Sequence, residues 1–180
     1  MKISGPLLIV PEFHSDERGS FRETYKRSVF DKYGISDHFV QENISISAKG
    51  VLRGLHYQLN PKAQGKLVSV LRGRIFDVAV DIRRGSPTYG TYCSVTLSEK
   101  DGNLFWVPKG FAHGFLSMED GTTVVYKTTE EYSHEHERGI LWKDPVIDVE
   151  WPFFNVITNK RDSEFPLLDH AEINFTFGGK

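Results

Sequence analysis

Lys66-Leu-Val-Ser-Val-Leu-Arg72 and Ile75-Phe-Asp-Val-Ala-Val-Asp-Ile82, joined through Arg72-Gly-Arg74, decide how this chain folds. Both runs alternate with a period of two, the pattern of a strand whose side chains point to opposite faces in turn. In the first, Lys66, Val68 and Val70 share a side. In the second, Phe76, Val78, Val80 and Ile82 occupy one face, with Asp77, Ala79 and Asp81 on the other. Two such runs meeting at a glycine predict a hairpin. Outward from it, Tyr92 to Ser98, Leu104 to Val107 and Thr122 to Thr129 read as further strands. The turns Lys100-Asp-Gly-Asn103, Pro108-Lys-Gly110 and Glu119-Asp-Gly121 separate them. Met1 to Pro11 is one more strand-like run. Helical signal is confined to Ser28 to Tyr33, ended by Gly34, and Lys160 to Glu164, stopped by Pro166. Closely spaced strands with few helices favour an all-β sandwich or barrel over repeated βαβ units; a jelly roll with short peripheral helices hides its strand edges by folding two sheets face to face, and dimerisation can cover what remains.

A chain of 180 residues, 39% hydrophobic, supports one good core, so a single domain over 1–180 is expected. Its formal charge of -2, with scattered Lys and Arg, offers no broad field for nucleic acid. No run is long and apolar enough for a membrane helix. The lone Cys93 has no partner for a disulfide, and the N-terminus carries no basic-then-apolar leader. A soluble, cytoplasmic protein is therefore expected. The last residues, Phe175 to Lys180, are expected to fray.

Seven histidines are present, and two of them, His56 and His113, lie among strands and glycines. A lone strand histidine is usually a hydrogen-bonded core residue, and that reading stands beside a functional one. Lys66 is either drawn into the barrel with Val68 and Val70, where it needs a partner or a task, or is an edge lysine that blocks aggregation. Tyr126 shares parity with Val124, so its hydroxyl needs a partner if buried, while Lys127 points with Val125 to the opposite face. Asp162, in Asn159-Lys-Arg-Asp-Ser163, reads locally as a helix-start residue and otherwise as an orienter of a histidine. His134-Glu-His136 has chelating spacing but lies in a hydrophilic stretch, Glu130 to Arg138, and reads as a solvated loop.

Taken in order, the motifs resemble the dTDP-4-dehydrorhamnose 3,5-epimerase family from Asp16 to Asp169. Asp16-Glu-Arg-Gly19 with Phe21 and Glu23, Gln41-Glu-Asn43, and Val51 to Gln58 carry the first part. Gln64-Gly-Lys-Leu-Val68, Asp77-Val-Ala-Val-Asp-Ile-Arg83 with Ser86-Pro-Thr88, and Pro108 to Phe115 carry the middle. Tyr126-Lys127, Trp142, Trp151-Pro152 and Asp162 close the series. Ser20 departs from the pattern, standing where many relatives have an aromatic residue.

The resemblance implies a cupin-type double-stranded β-helix, a homodimer, a nucleotide-sugar substrate and no cofactor. It implies His56 as base, Asp162 as its carboxylate partner, Tyr126 as the opposing acid and Lys66 beside the substrate keto oxygen. Arg18, Glu23, Gln41, Asn43, Arg53, His113, Tyr132, Glu137 and Arg161 fall on or near positions lining the substrate site. Straight-strand parity sends Arg53 and His56 to opposite faces, a conflict that a bend or bulge at Gly54 would remove.

The resemblance points to inversion of carbons 3 and 5 of a 4-keto sugar through an enolate. Inversion at only one of these carbons, or on a related nucleotide sugar, uses the same groups. A metal-dependent cupin is the main rival because Pro108 to His113 fits a Pro-x-Gly-x-x-His motif. Against it, His56-Tyr-Gln58 lacks a second imidazole and Lys66 would repel a divalent ion, so no metal is expected. A non-catalytic sugar-binding jelly roll is the other rival.

Overall fold

A computed structural model describes residues 5–153 and 155–178. Its strands, in chain order, are β1 (Leu7–Ile9), β2 (His14–Asp16), β3 (Gly19–Phe21), β4 (Gln41–Ser47), β5 (Leu52–Gln58) and β6 (Lys66–Arg72). They continue with β7 (Arg74–Asp81), β8 (Tyr92–Ser98), β9 (Leu104–Val107), β10 (Phe111–Ser117), β11 (Thr122–Thr128) and β12 (Glu137–Gly139). Two short helices, α1 (Arg27–Lys32) and α2 (Lys160–Ser163), flank them, with a 3₁₀ turn at Leu168–His170.

Two five-stranded antiparallel sheets are formed, in the orders β1-β9-β6-β11-β4 and β12-β5-β10-β7-β8. They face each other across an apolar interior: Val68, Val70, Phe105, Val107 and Val124 from the first meet Ile75, Ala79, Leu97, Phe111 and Phe115 from the second. This is the jelly roll read from the sequence. β2 and β3 form a separate exposed hairpin.

The strands at 66–72 and 74–81 exist, but the hairpin between them does not. β6 pairs with β9 and β11, whereas β7 pairs with β8 and β10, so Gly73 is the corner where the chain passes from one sheet to the other. Its φ of 78°, together with Thr122 Oγ1 only 2.6 Å from where a Cβ would stand, reserves the corner for glycine.

The two faces of β7 are both covered. Val78, Val80 and Ile82 pack beneath the C-terminal segment, against Ile147, Trp151, Leu168, Ile173 and Phe175. Ala79 faces between the sheets with Ile75. The outer face of the first sheet is covered by the N-terminal segment, where Phe30 and Ile35 pack on Leu67, Leu104 and Trp106.

The strand expected near the N-terminus is present as β1, and Met1 to Ser4 lie outside the described residues. Fraying from Phe175 onward is not observed: Phe175 is buried and Thr176 bridges to Arg84, while Gly179 and Lys180 lie outside the described residues. Among the described residues no helix is long and apolar enough to cross a membrane.

Candidate active site

One end of the interior between the sheets is polar and opens into a pocket of about 420 Å³. β6 carries Lys66 into it from the middle of its sheet, on the same side as Val68 and Val70, so the edge-lysine reading falls. β11 brings Tyr126 in opposite Val68 on β6 and Asn43 on β4. Lys127, one residue on, faces outward and pairs with Glu42. From the facing sheet, β5 contributes Arg53 and His56 and β10 contributes His113.

Arg53 and His56 share a face because the register slips between them. His113 opposes His56 and Phe115 opposes Arg53, so Gly114 alone on β10 stands against both Gly54 and Leu55 on β5. The extra residue sits at Gly54, whose φ is 144° and whose missing side chain leaves room for Gly114: a Cβ there would lie 2.5 Å from Gly114 Cα. The parity conflict is resolved by this bulge.

Asp162 reaches His56 from 106 residues away. Asn159 caps α2 by accepting a hydrogen bond from the Asp162 backbone N–H at 2.7 Å, which fixes the first turn against β5. The carboxylate is 1% exposed; it accepts from His56 Nε2 at 3.0 Å and from the Gly54 backbone N–H at 3.0 Å. The helix-start reading and the histidine-orienting reading are thus both true of one residue.

Burial is the largest influence on His56 and holds it below its ordinary value; Asp162 pulls the other way and Lys66 adds to the depression. For Asp162, burial pushes upward but is outweighed by the bonds from His56 and Gly54 and by Arg161, leaving the carboxyl below its ordinary value. The resting pair is therefore a neutral imidazole donating from Nε2 to a carboxylate, which leaves a lone pair on Nδ1. Phe165 stands edge-on to the His56 ring at 5.6 Å and helps fix its plane.

Lys66 is 9% exposed; its Nζ donates to the His56 carbonyl at 3.4 Å and, among the described residues, forms no ion pair. Burial pushes it down to about 8, opposed by Glu137 and Asp77. Tyr126 is raised, mainly by burial, although Arg53 opposes the rise. At neutral pH the pocket thus holds a charged lysine, a protonated phenol and a neutral imidazole.

At the rim, Glu137 accepts from Tyr132 Oη at 2.8 Å and from Arg161. Gln41 accepts from the Tyr132 backbone N–H and donates to Asn43. All of the expected site residues line this one pocket except Arg18 and Glu23. Arg18 lies on the exposed β2–β3 hairpin, paired with Asp16, and Glu23 lies beyond it beside Lys26.

The pocket also takes in Ser45, Tyr57, Gln58, Gln64, Phe115, Thr128 and Asn159, none of which the sequence reading assigned to the site. Ser45 was detectable from the alternation on β4, where Gln41, Asn43 and Ser45 share a side while Ile44 and Ile46 point outward. His134 and His136 sit in a turn, where His136 bonds Ser133, and among the described residues no three His, Cys, Asp or Glu side chains gather as a metal site.

The sequence matches the model of the family described as dTDP-4-dehydrorhamnose 3,5-epimerase over residues 1–170. It is 51% identical over 150 residues to a protein of that name from Methanothermobacter thermautotrophicus, covering 83% of this chain and 80% of the relative. The fold superposes with a TM-score of 0.89 and 45% identity on a dTDP-6-deoxy-D-glucose-3,5-epimerase from Legionella pneumophila, solved with dTDP-4-keto-L-rhamnose; 94% of this chain and 91% of that one are covered. It also superposes, at 0.87 and 31% identity, on a 3'-monoepimerase from Streptomyces bikiniensis solved with dTDP-quinovose, covering 94% and 86%. The fold is that of these relatives, and the chain belongs to the dTDP-4-dehydrorhamnose 3,5-epimerase family.

Proposed function

We propose that this chain inverts carbons 3 and 5 of dTDP-4-dehydro-6-deoxy-D-glucose, giving dTDP-4-dehydro-L-rhamnose, with no redox cofactor or metal. The observation that carries the reading is the pairing of a base and an acid on facing sheets, His56 on β5 and Tyr126 on β11, with the Lys66 ammonium in the same pocket. Carbons 3 and 5 both flank the carbon-4 ketone, so removing either proton sends its electron pair onto the same oxygen. His56 Nδ1 takes the proton and becomes imidazolium, stabilised by the Asp162 carboxylate. Lys66, itself buried, balances the enolate charge. The Tyr126 hydroxyl then gives a proton to the opposite face of the carbon, and solvent exchange resets both groups. Arg53 and Arg161 supply charge for the diphosphate.

The test is incubation with the 4-keto sugar nucleotide in deuterated water, followed by NMR and mass spectrometry. Deuterium should enter both carbons, and His56→Ala should abolish entry. Tyr126→Phe should retain proton removal while losing inverted product. Deuterium at one carbon alone would instead match the 3'-monoepimerase likeness, and no exchange at either would refute the reading.

The working unit we propose is a cytoplasmic homodimer of one-domain chains. Support comes from β4, the edge of its sheet, whose outward Ile44 and Ile46 are 62% and 69% exposed. Arg18 and Glu23, remote from their own pocket, are read as serving the partner's. Sedimentation should give twice the chain mass, and Ile46→Asp should yield a monomer with little activity; a wild-type monomer with full activity would refute this.

A further inference from the structure

Beside His113, and outside the pocket lining, β7 buries a second carboxylate. Asp77 is 0% exposed, and its Oδ1 accepts from His113 Nε2 at 2.6 Å. Its other oxygen, Oδ2, makes no hydrogen bond among the described residues. A neutral amide or a threonine would hold the ring with less desolvation, so a buried carboxylate here needs another reason.

The surroundings supply one. Lys66 faces this wall from the opposite sheet with no ion pair of its own, and its charge is held against burial by two carboxylates at longer range, Glu137 and Asp77. The other groups turned toward Lys66 are His56 and Arg53 from β5, His113 from β10, Tyr126 from β11 and the Arg161–Asp162 pair of α2. Of the carboxylates, Asp162 is engaged by His56 and Gly54, and Glu137 by Tyr132 and Arg161. Asp77 alone is backed only by an imidazole. Its field in a dry interior therefore acts over a longer range.

We infer that Asp77 is a positioning residue for the epimerisation: it fixes the His113 ring through Nε2 and, with Glu137, supplies negative charge that helps hold Lys66 as an ammonium beside the reacting ketone. The inference rests on the proposed enolate chemistry. Asp77→Asn keeps the shape and an acceptor for His113 while removing the charge. Its kcat should fall about tenfold, and the alkaline limb of its kcat/KM profile should move to lower pH, because Lys66 loses its proton sooner. A residue that merely packs would leave that limb in place.

The decisive comparison repeats Asp77→Asn in a Lys66→Gln background, where there is no charge to sustain and the added loss should be within about twofold. An unmoved limb, or the same tenfold loss without Lys66, overturns the inference. Should Asp77→Asn not fold, Asp77→Ser removes the same charge and is read the same way. Wild-type deuterium exchange, run in parallel, separates the two failures: if it is absent the enolate reading fails, and if it is present with an unmoved limb only the role of Asp77 fails.

Discussion

In the proposed reaction, Lys66 and His56 set the pH window of the site from opposite sides. As the proposed base, His56 must be neutral, and burial holds it below its ordinary 6.5, so the acid limb of kcat/KM should lie below that value. As the proposed partner of the enolate oxygen, Lys66 must be charged, and its value of about 8 puts the alkaline limb there. Tyr126, raised above 10, stays protonated throughout and adds no limb. A bell-shaped profile between these limits is expected, and Lys66→Gln should remove the alkaline limb and lower kcat by about 10²-fold. An alkaline limb that survives in Lys66→Gln would show that another group produces it. At this scale the sequence was only partly readable. Parity put Lys66 on one side with Val68 and Val70 but left open whether that side faced inward, and nothing local marks Asp162 as the partner of His56, since tertiary packing alone joins α2 to β5.

The element that most depends on one backbone position is β5. Without the bulge at Gly54, Arg53 and His56 would face apart and the Gly54 N–H would not meet Asp162. Gly54→Ala meets both an unfavourable φ and a backbone contact, so it should cost about 2 to 4 kcal/mol and disturb the His56–Asp162 pair. Urea unfolding and kcat measured together should both fall; a fully stable, fully active variant would show that the strand can carry a side chain there. The bulge was foreseeable because parity and the expected site disagreed at a glycine. The Gly73 corner was not, because a glycine between two alternating runs serves a hairpin and a change of sheet equally well. Only the pairing of β6 with β9 and β11, all distant in sequence, separates the two.

Across the whole molecule the sheets are closed by a C-terminal wrap with little regular structure of its own, and Asp81 is the anchor of that wrap. Its carboxylate accepts from Ser86 at 2.6 Å, Thr88 at 2.7 Å and the Arg83 guanidinium, which in turn lies over the rings of Phe111 and Phe177. The neighbouring Arg84 backbone pairs with Phe175 and Phe177, so the same turn holds the chain that covers Val78, Val80 and Ile82. For Asp81, burial pushes upward, but the bonds from Arg83, Ser86 and Thr88 prevail and bring the carboxyl down to about 2 from an ordinary 3.8. A depressed carboxyl stabilises the fold fully above its unfolded value, and that contribution is lost as pH falls through the folded one. It amounts to about 2 kcal/mol at neutral pH. Asp81→Asn should therefore lower the melting temperature by roughly 4 to 8 °C at pH 7, and the gap from wild type should narrow as pH falls from about 4 toward 2. Calorimetry across that range would decide the matter: a gap independent of pH would mean that Asp81 holds the wrap by shape and not by charge.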